Sequence, residues 1–245
     1  MRQGGGGGRR GALATGSWSV AAAFGVADGE RLPLPLAIDN LARIVAATDL
    51  PVSIDLESGY GEDPEGVGRA VAAAMAVGAI GCNLEDSFPA TGRLRDVGDQ
   101  AERLRAARAA MDRVAVEGFL NARTDVFFQA PAEAHDAAMV EAALERAHAY
   151  ALAGADGIFM PGLADLNLIE VAAKASPLPL NIMVGKGTPS QAALARVGVA
   201  RVSHGPGPYL TAMRALEDAA RAAFSASAGY AESAFSPRSR HWRSR

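Results

Sequence analysis

Charged and amide side chains recur in four segments of the chain, each at the end of a short apolar run. The segments read IDLESGYG, NLEDS, NARTD and LNIMVG. Their candidate groups are Asp55, Glu57, Glu85, Asp86, Asn121, Arg123, Asp125 and Asn181. Carboxylates gathered around one point repel one another unless a cation lies between them, and hard oxygen ligands suit Mg²⁺ or Mn²⁺. We predict a metal site at Asp55, Glu57 and Glu85. We also predict that Arg123 binds a substrate carboxylate or phosphonate through two hydrogen bonds.

The spacing of the first two acids supports this hypothesis. Asp55 and Glu57 are two residues apart, so within a strand they point to the same face, and Glu85 joins them if the two strands are neighbours. Gly59 and Gly61 follow directly and allow a tight turn beside a ligand. The alternative is that each acid caps a helix or pairs with an arginine.

Apolar strand-like runs alternate with alanine-rich helical stretches along the whole middle of the chain. This order is typical of βαβ units and a parallel sheet. We predict seven strands, at Ala12–Thr15, Val52–Glu57, Ile80–Glu85, Phe119–Asp125, Gly157–Met160, Leu180–Val184 and Arg201–His204. We predict helices near residues 35–48, 63–77, 97–112, 133–153, 165–175, 189–197 and 208–224. The pattern predicts an α/β fold that resembles a (β/α)8 TIM barrel and is one βα unit short of it, with a doubly wound open sheet as the alternative.

The two ends differ from the middle in composition. Residues 1–11 contain five consecutive glycines and are predicted to be disordered, residues 12–225 form the predicted barrel domain, and residues 226–245 are a basic, disordered tail. Helix starts are predicted at Asp63-Pro64 and in a capping box from Thr188 to Gln191.

Composition excludes several classes of protein. The 245 residues are 49% hydrophobic with a formal net charge of −3, so nothing would attract nucleic acid or an acidic membrane. No apolar run is long enough to span a membrane, and the one cysteine, Cys82, indicates a reducing setting. We predict a cytoplasmic protein that binds neither nucleic acid nor membranes.

The segments SIDLESGYG, GAIGCNLEDS, NARTD and AGADGIFMPG together resemble the phosphoenolpyruvate mutase and isocitrate lyase superfamily. The likeness runs from about Ala12 to Ala223 and is strongest to small bacterial members similar to carboxyphosphonoenolpyruvate mutase and methylisocitrate lyase. It implies a (β/α) barrel, a homo-oligomer (dimer or tetramer) that exchanges its last helix, and Mg²⁺, with Mn²⁺ as an alternative. The implied substrate is a small keto acid or phosphonate.

The resemblance also implies a role for individual residues. Asp55, Glu57 and Glu85 would form the metal shell, while Arg123 and Asn181 would contact the substrate. The segment GSWSVAAAFGVADG resembles a family loop that holds the substrate carboxylate through backbone amides, here those of Ser17 and Trp18. Asp28 would be the acid beside the metal, and the catalytic residues would be Arg123 and Asp28.

Two departures bear on the reaction. Family lyases carry a catalytic cysteine on a mobile loop where this chain reads SFPATGRLRDVGD, and Gly162 stands where those lyases place a glutamate. Cys82 lies within a strand and is predicted to be a packed thiol. Cleavage of isocitrate or methylisocitrate is therefore not expected, and no proton donor is identified.

The predicted activity is that of a Mg²⁺-dependent lyase, which cleaves a C–C bond next to a small α-keto or dicarboxylic acid through an enolate. One alternative is a phosphonomutase or hydrolase acting on a P–C or keto-acid bond, and another is an impaired barrel that serves as a binding or assembly subunit.

Members of the resembled family begin with a further strand and helix, a first βα unit that this chain lacks. Its absence implies a partner chain over the open edge, a misplaced start or a decayed copy. For Lys186, a solvated lysine is preferred to a Schiff-base nucleophile. For the glycines that follow the last two predicted strands, plain turns are preferred to a phosphate site.

Overall fold

The computed structural model describes residues 11–114, 117–185 and 187–225. The predicted disordered tail, most of the predicted disordered start and Lys186 lie outside this part of the chain. Two compact units are separated between Pro206 and Gly207. They are described one at a time.

Among the described residues, the first unit is organised around a curled sheet of seven parallel strands. Its order follows the sequence from β1 to β7, so each strand pairs with the next along the chain. The strands are β1 Leu13–Ala14, β2 Val52–Asp55, β3 Gly81–Glu85, β4 Phe119–Arg123, β5 Gly157–Phe159, β6 Leu180–Met183 and β7 Arg201–Ser203. Sequential parallel order is that of a TIM-like half-barrel, which confirms the predicted fold class; a doubly wound sheet would reverse its strand order at a switch point.

Helices connect the successive strands. Those of the first unit are α1 Ser17–Ala23, α2 Leu34–Ala46, α3 Pro64–Ala76, α4 Val97–Met111, α5 Ala137–Leu152, α6 Leu166–Ala175 and α7 Gln191–Arg196. The second unit contributes α8, Gly207–Ser225. Within the described residues, no helix is long and apolar enough to cross a membrane.

The predicted start at Asp63-Pro64 is confirmed, since the Asp63 side chain accepts a hydrogen bond from the backbone N–H of Gly66. Two other starts were predicted too early. Helix α7 is capped by Ser190, whose side chain accepts from Ala193, and Thr188 instead accepts from the N–H of Gly185. Helix α5 begins at Ala137 because Asp136 caps it, and single 3₁₀ turns occupy part of the preceding segment.

The sheet buries one face against the helices. Buried side chains such as Ile54, Leu120 and Ile158 pack against α3, α4 and α5, while alternate residues face the inside of the half-barrel. Cys82 belongs to this packed layer and is 1% exposed. The prediction of a packed cysteine is confirmed, and burial raises the pKa of its thiol.

Candidate active site

The carboxyl ends of β2, β3 and β4 bring the predicted charged groups to one edge of the sheet. Asp55 ends β2 and Glu85 ends β3, and Glu85 is the cross-strand partner of Arg123 at the end of β4. This edge is where parallel barrels place their chemistry. The register of the sheet therefore supports the hypothesis that the ends of three strands meet at one site.

Asp55 is held by backbone groups on both sides. Its carboxylate accepts hydrogen bonds from the N–H of Ser17 at 3.3 Å and from the N–H of Glu57 at 3.3 Å. The N–H of Asp55 itself donates to the Thr15 hydroxyl at 3.1 Å. The amide of Ser17, predicted to hold a substrate carboxylate, thus contacts a protein carboxylate.

Glu57 lies beyond the end of β2, which corrects the argument that placed it on one strand face with Asp55. Its backbone is left-handed, with φ of 51°, so the chain turns sharply at this residue. The side chain nevertheless enters the same site. Its Oε2 accepts from the N–H groups of Gly29 at 2.8 Å and Glu30 at 2.6 Å, and its Oε1 accepts from the Tyr60 hydroxyl at 3.0 Å.

Burial raises the pKa of Glu57 to about 7, and the charges of Asp28 and Asp55 add to the rise against the lowering effect of its hydrogen bonds. The Asp28 residue as a whole is exposed, but its carboxyl group is partly buried, and this burial raises the pKa of the carboxyl group. A hydrogen bond from Ser17 opposes the rise. Asp28, Asp55 and Glu57 therefore repel one another.

Glu85 and Arg123 form a salt bridge inside the site, with the Arg123 Nη1 2.7 Å from the Glu85 Oε2. Asp125 binds the other side of the same guanidinium, accepting from Nε at 2.6 Å and from Nη2 at 3.1 Å. Ser87 donates to Asp125 at 2.6 Å. Arg123 is thus oriented by a bidentate carboxylate, which leaves Nη1 directed at Glu85 and the acidic cluster.

Burial raises the pKa of Glu85 to about 8, although the neighbouring Arg123 lowers it; Asp125, Asp55 and Glu57 act in the same direction as burial. Burial disfavours the charge of Arg123, but Glu85 and Asp125 outweigh it and raise the pKa of the guanidinium. The site as a whole carries more negative than positive charge.

These groups suit a hydrated divalent cation better than a closed ligand cage. Within residues 11–114, 117–185 and 187–225, no three His, Cys, Asp or Glu side chains are arranged as direct ligands of one ion. Mg²⁺ usually keeps several waters and takes only one or two protein carboxylates. The mutual repulsion of Asp28, Asp55, Glu57 and Glu85 is the feature that a cation would relieve, so the donor set fits Mg²⁺ bound largely through water.

Two further predicted residues are Asn181 and Trp18. Asn181 is buried in β6, and its side chain exchanges hydrogen bonds with the Ser203 hydroxyl of β7 at 3.1 and 3.2 Å. Trp18 is the second residue of α1 and is 40% exposed. Their predicted substrate contacts stay predictions.

Sequence reasoning overlooked the supporting role of Asp86, which it named only as a candidate group at a strand end. Asp86 is fully buried and accepts from the Tyr150 hydroxyl at 2.8 Å, from Arg146 at 3.0 Å and from the N–H of Asp125 at 2.9 Å. The hydroxyl of Ser87 and the carboxylate of Glu30 were also overlooked. Glu30 follows no apolar run, so the strand-end signal could not have found it.

The segment that replaces the cysteine loop folds back on itself. Ser87 pairs with Leu94 in an antiparallel bridge, and the N–H of Phe88 donates to the Arg93 carbonyl at 2.9 Å. The guanidinium of Arg95 lies 4.0 Å from the centre of the Phe88 ring. This hairpin carries no thiol toward the site.

A small cleft opens beside the acids between α1, α2 and the sheet. Its walls include Thr15, Ser17, Val20, Leu32, Ala37, Asn40, Ile54, Asp55, Glu57 and Tyr60. The cleft combines acidic, hydroxyl and apolar surface next to Asp55 and Glu57.

Enzymes built on parallel (β/α) barrels place their chemistry at the carboxyl edge of the sheet, and this edge carries acids and an arginine here. The chain belongs to the phosphoenolpyruvate phosphomutase family, whose profile matches residues 7–224. It is an enzyme of the phosphoenolpyruvate mutase-like, carbon–carbon lyase kind, as the resemblance implied.

Individual relatives support this assignment. A crystal structure of a phosphonomutase candidate from Burkholderia cenocepacia J2315 is 57% identical, with a TM-score of 0.84 over 86% of this chain and 84% of the other. The oxaloacetate decarboxylase of Pseudomonas fluorescens is 34% identical over 76% of this chain and 63% of its own length. The structure of 2,3-dimethylmalate lyase, 24% identical, has the same fold, with a TM-score of 0.79 over 92% of this chain and 79% of the other.

Proposed function

We propose that this protein is a Mg²⁺-dependent lyase that cleaves a C–C bond next to a small α-keto or dicarboxylic acid through an enolate. The observation that carries the proposal is the convergence of Asp55, Glu85 and Arg123 on one edge of the sheet, with Asp28 and Glu57 beside them. Likeness to an oxaloacetate decarboxylase supports a four-carbon keto dicarboxylate as the substrate.

The proposed roles follow from the contacts. Arg123, held by Asp125, would pair through Nη1 with a substrate carboxylate, which would replace Glu85 as its partner. Asp55, Glu57, Glu85 and Asp28 would hold the cation directly or through water. When bound, Mg²⁺ would supply the Lewis acid that stabilises negative charge on the keto oxygen.

Decarboxylation suits a site without a thiol acid. When the bond between C3 of the keto acid and the carboxylate attached to it breaks, the bonding electron pair passes into the enolate. The carboxylate leaves as CO₂ and takes no proton. The enolate then takes one proton at carbon to give the shorter keto acid. The leaving group needs no general acid, in keeping with the hairpin at residues 86–96, which contains no cysteine, lysine or histidine.

Phosphonomutase activity is the second candidate. Its specific support is the 57% identity to the Burkholderia phosphonomutase candidate, which is higher than the identity to the decarboxylase. The same arginine and cation would then bind a phosphonate. We further propose that the enzyme works in the cytoplasm as a homo-dimer or tetramer.

Titration calorimetry with Mg²⁺ and oxalate, a mimic of the enolate, tests the proposal. We expect oxalate to bind only when Mg²⁺ is present and pyruvate to form from oxaloacetate. Replacing Arg123 with lysine removes the planar fork and should lower kcat/KM at least about tenfold, because one lost charged contact is typically worth about 1.5–3 kcal/mol.

Arg69→Lys is the matched control, since Arg69 pairs with Glu65 on the exposed surface of α3. Turnover of phosphonopyruvate without turnover of oxaloacetate would favour the mutase. Absence of metal-dependent oxalate binding in the unaltered protein would overturn both candidates and leave a non-catalytic barrel.

A further inference from the structure

Two loops beside the acidic cluster exchange glutamate side chains. Glu57 accepts from the N–H groups of Gly29 and Glu30 at 2.8 and 2.6 Å. In return, the Oε1 of Glu30 accepts from the Ser58 hydroxyl at 2.7 Å and from the N–H of Tyr60 at 2.9 Å. We call this reciprocal arrangement of residues 28–30 and 57–60 the glutamate clasp.

Backbone strain is concentrated in the clasp. Among the described residues, the non-glycine residues in the left-handed region are Glu30, Glu57 and Tyr60, with φ of 58°, 51° and 54°. Such conformations cost free energy and persist only where the surroundings hold them. Each of the three takes part in the exchanged hydrogen bonds, so the clasp is what stabilises these turns.

The clasp connects directly to the groups that the proposed function uses. Asp28 immediately precedes Gly29, whose N–H the Glu57 carboxylate holds. On the other loop, the N–H of Glu57 donates to Asp55 at 3.3 Å. Asp28 lies in a loop and Asp55 at the end of β2, and their relative position is therefore set by contacts that pass through Glu57 and Glu30.

Glu30 differs from the other acids of the site. Its side chain accepts hydrogen bonds from Ser58 and Tyr60, and Glu30 is not among the residues that line the cleft. Its contacts position neighbouring groups. We infer that Glu30 is a positioning residue that sets the spacing of Asp28 and Asp55 for cation and substrate binding, an inference that rests on the proposed function.

Three variants test this role. Glu30→Ala removes the acceptor of the Tyr60 N–H and the Ser58 hydroxyl. Glu30→Gly removes the same acceptor without the left-handed strain, and answers the question if the alanine variant does not fold. Glu30→Gln keeps an amide oxygen that can accept both hydrogen bonds, and Glu65→Gln, on the exposed surface of α3, is the matched control.

The first readout is Mg²⁺-dependent binding of oxalate by calorimetry. Because loss of a group that orients metal-binding residues typically weakens metal affinity by about 10–100-fold, we expect a loss of that size for Glu30→Ala or Glu30→Gly. Glu30→Gln should restore most of the affinity, and Glu65→Gln should leave it unchanged. Wild-type affinity in the alanine and glycine variants would overturn the inference.

The second readout needs neither metal nor activity. The Gly29 amide, bonded to Glu57, should exchange with solvent about tenfold faster in the alanine or glycine variant if the two loops stabilise each other. Faster exchange at Tyr60 alone, with Gly29 still protected, would show that the loops are independent and overturn the clasp. Failure of the unaltered protein to bind Mg²⁺ and oxalate would instead count against the proposed function, and the exchange rates would still decide whether the clasp exists.

Discussion

At the scale of single residues, the site places several carboxylates close together at a partly buried edge of the sheet. Glu57 shows the consequence most clearly, because burial raises the pKa of its carboxyl group from 4.5 to about 7. In the folded protein it holds a proton more tightly than in the unfolded chain. The stability that this proton contributes is complete below the unfolded pKa of 4.5 and is lost as the pH rises through about 7.

Glu57→Gln should therefore change how stability depends on pH. The amide stays neutral at every pH while its oxygen can still accept from Gly29 and Glu30, so the variant should lose less stability than the natural protein between about pH 5 and about pH 8. Urea unfolding in the presence of a chelator measures this directly. Glu65→Gln is the control, and parallel pH curves for the natural protein and Glu57→Gln would contradict the assignment.

Mg²⁺ should counteract the loss of stability that the natural protein shows as the pH rises. A cation binds the ionised carboxylates, so its binding releases protons and grows stronger as the pH rises. We expect saturating Mg²⁺ to raise the melting temperature more at about pH 8 than at about pH 6, by mass action on the folded state. An equal shift at both pH values would show that the raised carboxyl pKa values are not coupled to metal binding.

At the scale of elements, one buried arginine links α4 to the loop that carries the acids. Arg103 is 3% exposed and donates to the carbonyls of Ser58 at 2.7 Å, Gly61 at 2.9 Å and Glu62 at 3.4 Å. Burial lowers the pKa of its guanidinium to about 10, with Arg95 adding to the effect. Its charge is tolerated because these carbonyls face it.

Arg103→Ala should destabilise the fold by about 3 kcal/mol, since it removes a charged donor and leaves the buried Ser58 carbonyl without this partner. Urea unfolding gives the change in the free energy of unfolding. Arg105→Ala on the same helix is the control; its side chain is 50% exposed and pairs with Glu102, so we expect a change within about 0.5 kcal/mol. Equal effects of the two substitutions would refute the role of Arg103.

Local pattern predicted most of the elements and one half of the site. Strand runs and the residues at their ends follow from alternation and chain order, so the positions of Asp55, Glu85 and Arg123 could be anticipated. Glu57 was placed in the strand because the pattern contains no signal for its left-handed turn. Glu30 and Arg103 could not be found, since their partners lie far along the chain, whereas the cap at Asp136 is a local signal that was overlooked.

At the scale of the whole molecule, α8 carries an apolar face. Met213, Leu216 and Phe224 lie on one face of this helix and are 40%, 64% and 92% exposed. Apolar side chains grouped in this way are typical of a surface that contacts another protein. Together with the family resemblance, they support the prediction of a homo-dimer or tetramer.

Leu216→Arg should weaken that assembly, because burying an unpaired charge at an interface is costly. We expect light scattering after gel filtration to report a dimer or tetramer for the natural protein and a smaller mass, or a mixture, for the variant. Ala222→Arg adds the same charge on the opposite face of α8 and should leave the mass unchanged. A monomer in the natural protein would contradict the oligomer prediction itself, whereas an equal loss of mass in both variants would mean that charge on α8, rather than its apolar face, governs assembly.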